Sequence, residues 1–228
     1  MLKPLPKIIP IKPLLVQLYG YPGSGKTYFA RQFCEHVQAA HVQDDRIRFE
    51  LFEEPRYDQQ ENDVITQLMD YMTGEFLSAG ISVIYDTNAM RFNQRHALRE
   101  TARSSHAQSL LVWLQVDAES SYARTTKRDR RRSDDKYAAD IDRHSFDTIA
   151  GRMQNPQATE DYIVVSGKHV FKTQMSAVVK RLHELNLISS DEALSQVVKP
   201  GLVNLIPNQN QNTAAGRVDM TRRNIMVR

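Results

Sequence analysis

Residues 20–27 read Gly20-Tyr21-Pro22-Gly23-Ser24-Gly25-Lys26-Thr27, and they match the pattern G-x-x-x-x-G-K-S/T at every fixed position. A short apolar run over residues 14–19 precedes this stretch and predicts a buried strand, and residues 27–37 predict a helix. A loop that joins the end of a strand to the start of a helix is the setting that the pattern requires. The stretch therefore predicts a loop that binds phosphate groups.

Each residue type in this loop has a physical part in phosphate binding. The glycines let backbone N–H groups turn inward around a β-phosphate, and the N-terminus of the helix adds positive potential. The Lys26 ammonium has the reach to contact β- and γ-phosphate oxygens, and Thr27 offers a hydroxyl ligand to Mg²⁺. A nucleotide that carries Mg²⁺ is the expected ligand.

Composition narrows the class of protein. The 228 residues suffice for one substantial core, and a net charge of +3 fits an anionic substrate without indicating a nucleic-acid binder. The single cysteine, Cys34, excludes an internal disulfide and is typical of a reducing compartment. No run approaches the roughly 20 apolar residues of a membrane span, and the histidines lack the spacing of a zinc site. We therefore expect a cytoplasmic protein whose only metal is the Mg²⁺ of its nucleotide.

Strand and helix patterns alternate along the chain. Strands that alternate with helices indicate a mostly parallel sheet covered on both faces, so we expect an α/β fold with a five-stranded sheet. The predicted strands are residues 14–19, 40–43, 81–85, 109–116 and 162–165, and the predicted helices are residues 27–37, 64–79, 92–104, 118–132, 146–153 and 174–185.

The sequence divides into one domain and its flanking segments. Residues 1–13 carry four prolines and predict an extended leader, and residues 14–187 form the predicted domain. Residues 188–200 predict a short helix that begins with a capping box. Residues 201–228 are rich in Asn and Gln and end in basic residues, which indicates a flexible tail or an arm that binds anions or a protein partner.

Carboxylates follow two of the predicted strands. Asp44 and Asp45 end the second strand, and Asp86 ends the third, which is the edge where open α/β sheets present their chemistry. Asp86 is a candidate for ordering Mg²⁺ or for contacting a substrate. The following Thr87 and Asn88 either shape the turn or bind substrate, and the sequence does not separate these roles.

A basic segment follows the fourth strand. Arg124 and Arg128 are four residues apart on the predicted helix, so their guanidinium groups are expected on one face. On a lid over a nucleotide they would neutralise the charge of a transferred phosphoryl group. Arg130, Arg131 and Arg132 exceed what such a lid needs, which leaves open which arginine closes on the phosphate.

The guanine-specific class is disfavoured. Residues 126–129, Thr126-Lys127-Arg128-Asp129, match its base-reading motif literally, but they follow a polar stretch and not a buried strand. The residues after Asp86 also lack the glycine of a γ-phosphate sensor.

Together these motifs resemble the small P-loop kinases, a group that includes the kinase domain of polynucleotide kinases, the zeta toxins and related ATP-dependent kinases. The features that match are the loop, Asp45-Arg46-Ile47-Arg48, the strand end at residues 83–88 and the pair Arg124 and Arg128. The resemblance covers residues 14–185, and it implies a P-loop NTPase fold with a helical basic lid over about residues 119–143. Polynucleotide kinases look most similar, because they share the Asp with an Arg three residues later and the Asp-Thr-Asn strand end.

The resemblance also implies roles. Asp45 would be the general base for an acceptor hydroxyl, with Asp44 as its rival, and Arg48 would hold the acceptor or its phosphate. ATP with Mg²⁺ would be the phosphate donor. The acceptor would be a 5′-hydroxyl polynucleotide end or a small sugar or nucleotide-sugar, and the alternative is a regulatory protein that hydrolyses ATP slowly and engages a partner.

Overall fold

Parallel strands dominate the computed structural model of the protein, which describes residues 7–88, 90–129, 131 and 135–190. Arg130, Arg132 and the tail over residues 201–228 lie outside the described residues, as does the predicted short helix from residue 191 onward.

The five strands form one sheet in the order β2-β3-β1-β4-β5, and each neighbouring pair is parallel. The predicted α/β fold and the five predicted strands are therefore confirmed. Because β1 lies at the centre, the loop that follows it reaches the middle of the carboxyl edge of the sheet. The strands are β1 (Leu14–Tyr19), β2 (Ala39–Gln43), β3 (Ser82–Asp86), β4 (Gln108–Gln115) and β5 (Tyr162–Ser166).

Helices cover both faces of this sheet, as the alternation predicts. Side chains of successive strand residues point to opposite faces, so Leu14 and Val16 pack in one core cluster and Leu15 in the other. None of the helices formed by the described residues is long and apolar enough to cross a membrane. The helices are α1 (Lys26–His36), α2 (Asp44–Leu51), α3 (Gln59–Ser78), α4 (Phe92–Ser104), α5 (Ala118–Thr125), α6 (Arg143–Arg152) and α7 (Phe171–Glu184).

Helix α5 is shorter than the sequence predicts. The pattern predicts a helix over residues 118–132, but α5 ends at Thr125. The hydroxyls of Thr125 and Thr126 donate to the carbonyls of Tyr122 and Ala123, at 2.7 and 3.1 Å. Such local bonds from threonine compete with helix continuation. The prediction that the helix continues is therefore wrong for residues 126–129.

The leader contributes one residue to the core. Ile8 is 3% exposed and forms a parallel bridge with Val37. Its N–H donates to the His36 carbonyl at 2.8 Å, and its carbonyl accepts from Gln38 at 2.9 Å. These contacts hold Ile8 against the end of α1.

Arg95 on α4 is fully buried, although arginine side chains are mostly exposed in proteins. Its guanidinium donates to both carboxylate oxygens of Glu160, at 2.7 and 2.9 Å, and to the carbonyls of Met90 and Gln154. Burial opposes ionisation of Glu160, but the bonds from Arg95 and Arg99 hold the pKa of this carboxyl below its usual value. The pair joins the segment after β3 to the segment before β5.

Arg95→Met is expected to lower the free energy of unfolding by about 3 kcal/mol, because it leaves the buried Glu160 carboxylate without its main partner. Urea unfolding measures this change. The matched control is Arg103→Met on the same helix, where Arg103 pairs with Glu100 at an exposed site and its loss should change stability little. Equal effects of the two substitutions would contradict the structural role of Arg95.

Candidate active site

The loop of residues 20–27 has the backbone form that its glycines allow. Gly23 and Gly25 have φ angles of 82° and 96°, in the left-handed region that favours glycine. A Cβ on Gly23 would also collide with the backbone carbonyl of Ser121, so α5 lies directly against the loop. The buried Ser24 hydroxyl has no partner among the described residues, which fits a loop that is completed by a bound phosphate.

The Lys26 side chain folds back onto the backbone of the loop that contains it. Its ammonium donates to the carbonyls of Gly20 and Tyr21, at 2.9 and 3.0 Å. Burial lowers the pKa of Lys26 to about 8, although the carboxylates of Asp86 and Asp44 oppose the shift. The two carbonyls therefore compensate the positive charge of the ammonium only weakly. Charged phosphate oxygens are stronger partners than neutral carbonyls.

Two predicted metal residues lie side by side. Asp86 at the end of β3 is 2% exposed, and its Oδ1 accepts from the Thr27 hydroxyl at 3.4 Å. Hydroxyl and carboxylate oxygens are ligands of the kind that Mg²⁺ prefers, and here they meet beside the start of α1. The arrangement fits a Mg²⁺ ion that arrives with the nucleotide.

His41 on β2 is a site residue that the sequence analysis did not predict. Its Nε2 lies 2.9 Å from Asp86 Oδ2, so each oxygen of this carboxylate has a different partner. The parallel register pairs His41 with Ile84, two residues before Asp86 on the same face of the sheet. The pairing of β2 with β3 places His41 beside Asp86, and this register is the signal that could have identified the residue.

Asp44 and Asp45 have different surroundings, although they are adjacent at the start of α2. The Asp44 carboxylate accepts from the Thr87 hydroxyl and from the Asp45 N–H. The half-buried Asp45 carboxylate accepts no hydrogen bond from the described part of the chain. Burial raises the pKa of Asp45, and the charges of Asp44 and Asp86 raise it further. Asp45 is thus the carboxylate with free oxygens.

The residues after Asp86 hold the turn together. Thr87 bonds to Asp44, and the Asn88 side-chain oxygen accepts from the Gly20 N–H at 3.4 Å. The Asn88 amide also donates to the Met153 sulfur at 3.8 Å. These contacts favour the turn-shaping role that the sequence left open for both residues.

Arg48 is near enough for its charge to act on Asp44 and Asp45, but its guanidinium is held by other partners. It is 6% exposed, pairs with Glu61 and donates to the Asn62 side-chain oxygen at 2.7 Å. The guanidinium also lies 4.7 Å from the centre of the Tyr57 ring. These contacts hold α2 against α3, so the geometry corrects the expectation that Arg48 is open to hold an acceptor.

Arg124 and Arg128 do not share one helix face, which corrects the expected pairing, because α5 ends between them. Arg124 donates to the carbonyl of Gly167 at 3.0 Å, after β5. Arg128 donates to the Ala139 carbonyl at 2.6 Å, and its charge acts on both Lys26 and Asp45. Of these two arginines, Arg128 is therefore the one that lies near Asp45 and Lys26. It lines a polar pocket of about 400 Å³ together with Thr125, Thr126, Asp140, Ile141, Asp142 and Ser145.

The segment after Arg128 reaches helix α2. The rings of Tyr137 and Phe49 lie 5.7 Å apart, edge to face, and Phe49 is one helical turn beyond Asp45. The predicted lid is therefore in contact with the helix that carries the candidate base.

This fold and this loop define a class: the protein is a P-loop nucleotide-binding protein with the architecture of small kinases. The chain belongs to the AAA domain family, whose model matches residues 15–156. This match confirms the relationship to small P-loop kinases that the motifs predict. Among curated proteins, no significant sequence match is found.

Solved structures of similar fold include several kinases. A sugar kinase from Janibacter has a TM-score of 0.53 and 15% identity over 85% of this chain and 100% of its own. The APS kinase of Mycobacterium tuberculosis, in complex with AMPPNP and APS, has a TM-score of 0.52 and 15% identity over 76% of this chain and 98% of its own. A chain of the Pnkp1/Rnl/Hen1 RNA repair complex has a TM-score of 0.53 and 22% identity over 62% of this chain and 44% of its own. At these identities the likeness establishes the fold alone.

Proposed function

We propose that the protein is an ATP-dependent phosphotransferase that moves the γ-phosphoryl group of Mg-ATP to a hydroxyl acceptor, with Asp45 as the general base. The observation that carries this proposal is the difference between two adjacent carboxylates. Asp44 is held by Thr87 and by the backbone, whereas the Asp45 oxygens accept no hydrogen bond from the described residues and would be available to an incoming hydroxyl. Burial and the neighbouring carboxylates raise the pKa of Asp45, so in its deprotonated form this carboxylate is a stronger base than an ordinary aspartate.

The nucleotide phosphates would bind to the backbone N–H groups of residues 20–27. Lys26 would exchange its two carbonyl partners for phosphate oxygens, which compensate its charge more fully. Thr27 and Asp86 are the residues that would hold Mg²⁺, directly or through water. When bound, the ion neutralises phosphate charge.

Asp45 would take the proton of the acceptor hydroxyl while the hydroxyl oxygen forms a bond to the γ-phosphorus. The bond from that phosphorus to the bridging oxygen breaks, and ADP leaves with the bond's electron pair. Arg128, whose charge already acts on Asp45 and Lys26, is the lid arginine that we assign to the charge of the transferred group. Arg124 would act indirectly, by fixing the turn at Gly167.

The acceptor belongs to one of two classes. A 5′-hydroxyl polynucleotide end follows from the motif resemblance and suits a fold shared with a chain of an RNA repair complex, and a small sugar or nucleotide-sugar suits a fold shared with a sugar kinase. Both present an alcohol to the same base, so the proposed mechanism does not depend on the choice.

The test supplies ATP labelled at the γ-phosphate together with either a 5′-hydroxyl oligonucleotide or a mixture of sugars. We expect label to appear on one acceptor class, at a rate that rises with acceptor concentration and saturates. A 5′-phosphorylated oligonucleotide is the matched control, because its attacking hydroxyl is blocked.

The second candidate is a regulatory ATPase that engages a partner. It would release label only as inorganic phosphate, at a rate indifferent to every acceptor. That result would overturn the phosphotransferase proposal. The basic tail that such a protein would use lies outside the described residues.

A further inference from the structure

The Asp86 carboxylate is held from two sides. Its Oδ1 faces the Thr27 hydroxyl of the phosphate loop, and its Oδ2 faces His41 on the neighbouring strand. An ionised carboxylate has acceptors only, so the hydrogen of the short contact belongs to His41 Nε2. The histidine therefore donates to Asp86 and leaves Oδ1 directed at Thr27.

The sheet itself sets this contact. β2 and β3 are parallel, with His41 opposite Ile84 and Gln43 opposite Asp86. His41 and Asp86 are thus diagonal neighbours on one face, close enough for a long side chain to bridge. The His41 side chain is 17% exposed and the Asp86 side chain 2%, so few water molecules compete for the bond.

We infer that His41 is a positioning residue that orients Asp86 for Mg²⁺ and makes nucleotide binding by this protein responsive to the metal. The inference rests on the proposed function, because it assigns the Mg²⁺ role to Thr27 and Asp86. A carboxylate without its second partner rotates about its terminal bond, and the oxygen that faces Thr27 is then no longer fixed. Hydrogen-bonded partners of metal ligands commonly change metal affinity or activity about 10–100-fold when they are removed.

The experiment compares His41→Leu, which keeps volume and removes the donor, with His41→Gln, whose amide N–H has a similar reach. Binding of ADP is measured by calorimetry with and without Mg²⁺, so no acceptor or turnover is required. For His41→Leu we expect the Mg²⁺ concentration at half-maximal enhancement of ADP binding to rise about 10-fold or more. Metal-free ADP affinity should remain that of the parent, and His41→Gln should recover most of the Mg²⁺ response.

The double variant His41→Leu with Asp86→Asn separates positioning from packing. If His41 acts through Asp86, His41→Leu has no further effect on the Mg²⁺ response once Asp86 is replaced. An unchanged Mg²⁺ response in His41→Leu, or an equal loss of metal-free ADP affinity, would overturn the inference. The inference would also be overturned if the parent protein bound ADP with the same affinity in the presence and absence of Mg²⁺. Mg²⁺-dependent ADP binding without phosphoryl transfer to any acceptor would instead overturn the phosphotransferase function alone.

Discussion

Asp45→Asn is expected to lower kcat for acceptor phosphorylation about 10²–10⁴-fold, the usual loss when a positioned general base is removed. The amide keeps the size of the side chain but does not take a proton. Because Asp45 accepts no hydrogen bond within the described part of the chain, its replacement should leave the fold and the affinity for ATP nearly unchanged. Single-turnover transfer of labelled phosphate measures the loss, and calorimetry with ATP provides the comparison.

Asp44→Asn is the matched control, since it makes the same chemical change one residue away. Asp44 holds Thr87 and the start of α2, so its loss should act through geometry and lower kcat much less than the loss of Asp45. A parent-like kcat for Asp45→Asn combined with a large loss for Asp44→Asn would identify Asp44 as the base and refute the assignment.

The pH profile gives a second test of Asp45. A base acts only when deprotonated, so kcat/KM should rise with pH through the pKa of Asp45 in the free protein. Burial, Asp44 and Asp86 raise this pKa, so the rise should occur at higher pH than for an ordinary aspartate. Asp45→Asn should lack this limb of the profile, and a parent profile that is flat over this range would contradict the proposal.

The sheet and the phosphate loop were predictable because their signals are local. A short apolar run defines each strand within a few residues, and the loop pattern fixes the glycine at position 25, where the backbone is left-handed. The same holds for α4, whose predicted residues 92–104 coincide with the observed helix. Helix ends are less local, since α5 stops where two threonine hydroxyls bond back to the preceding turn.

The partners of buried charges were not predictable from the sequence. No sequence pattern marks Arg95 or Arg48 as buried, but Glu160 and Glu61 reach them from segments 65 and 13 residues away. Nothing in a one-dimensional pattern says that a distant carboxylate will be folded against a particular guanidinium. The same limitation hid His41, whose role follows only from the register of two strands. Motifs at strand ends therefore located the site, while its supporting contacts required the structure.

Lys26→Ala is expected to lower both ATP affinity and turnover, with a loss in kcat/KM of about 10²–10³-fold or more. Lys26 carries a positive charge at the mouth of the loop and has only two neutral carbonyl partners there. Burial lowers the pKa of Lys26 in spite of the neighbouring carboxylates, so charged phosphate oxygens should stabilise the ammonium more than the carbonyls do. Fluorescence titration with an ATP analogue measures affinity, and phosphate transfer measures turnover.

Lys26→Arg should fail to restore activity, because a planar guanidinium is larger than an ammonium and directs its N–H groups differently from the Lys26 ammonium, which bonds the Gly20 and Tyr21 carbonyls. Lys180→Ala, at an exposed position of α7, is the control for loss of a lysine charge far from the loop and should behave as the parent. Lys26→Ala should destabilise the fold little, since the Lys26 ammonium bonds only to loop carbonyls, which water can satisfy in its place. An ATP affinity unchanged by Lys26→Ala would mean that the loop does not bind the phosphates, and the assignment of every other residue around it would then lose its basis.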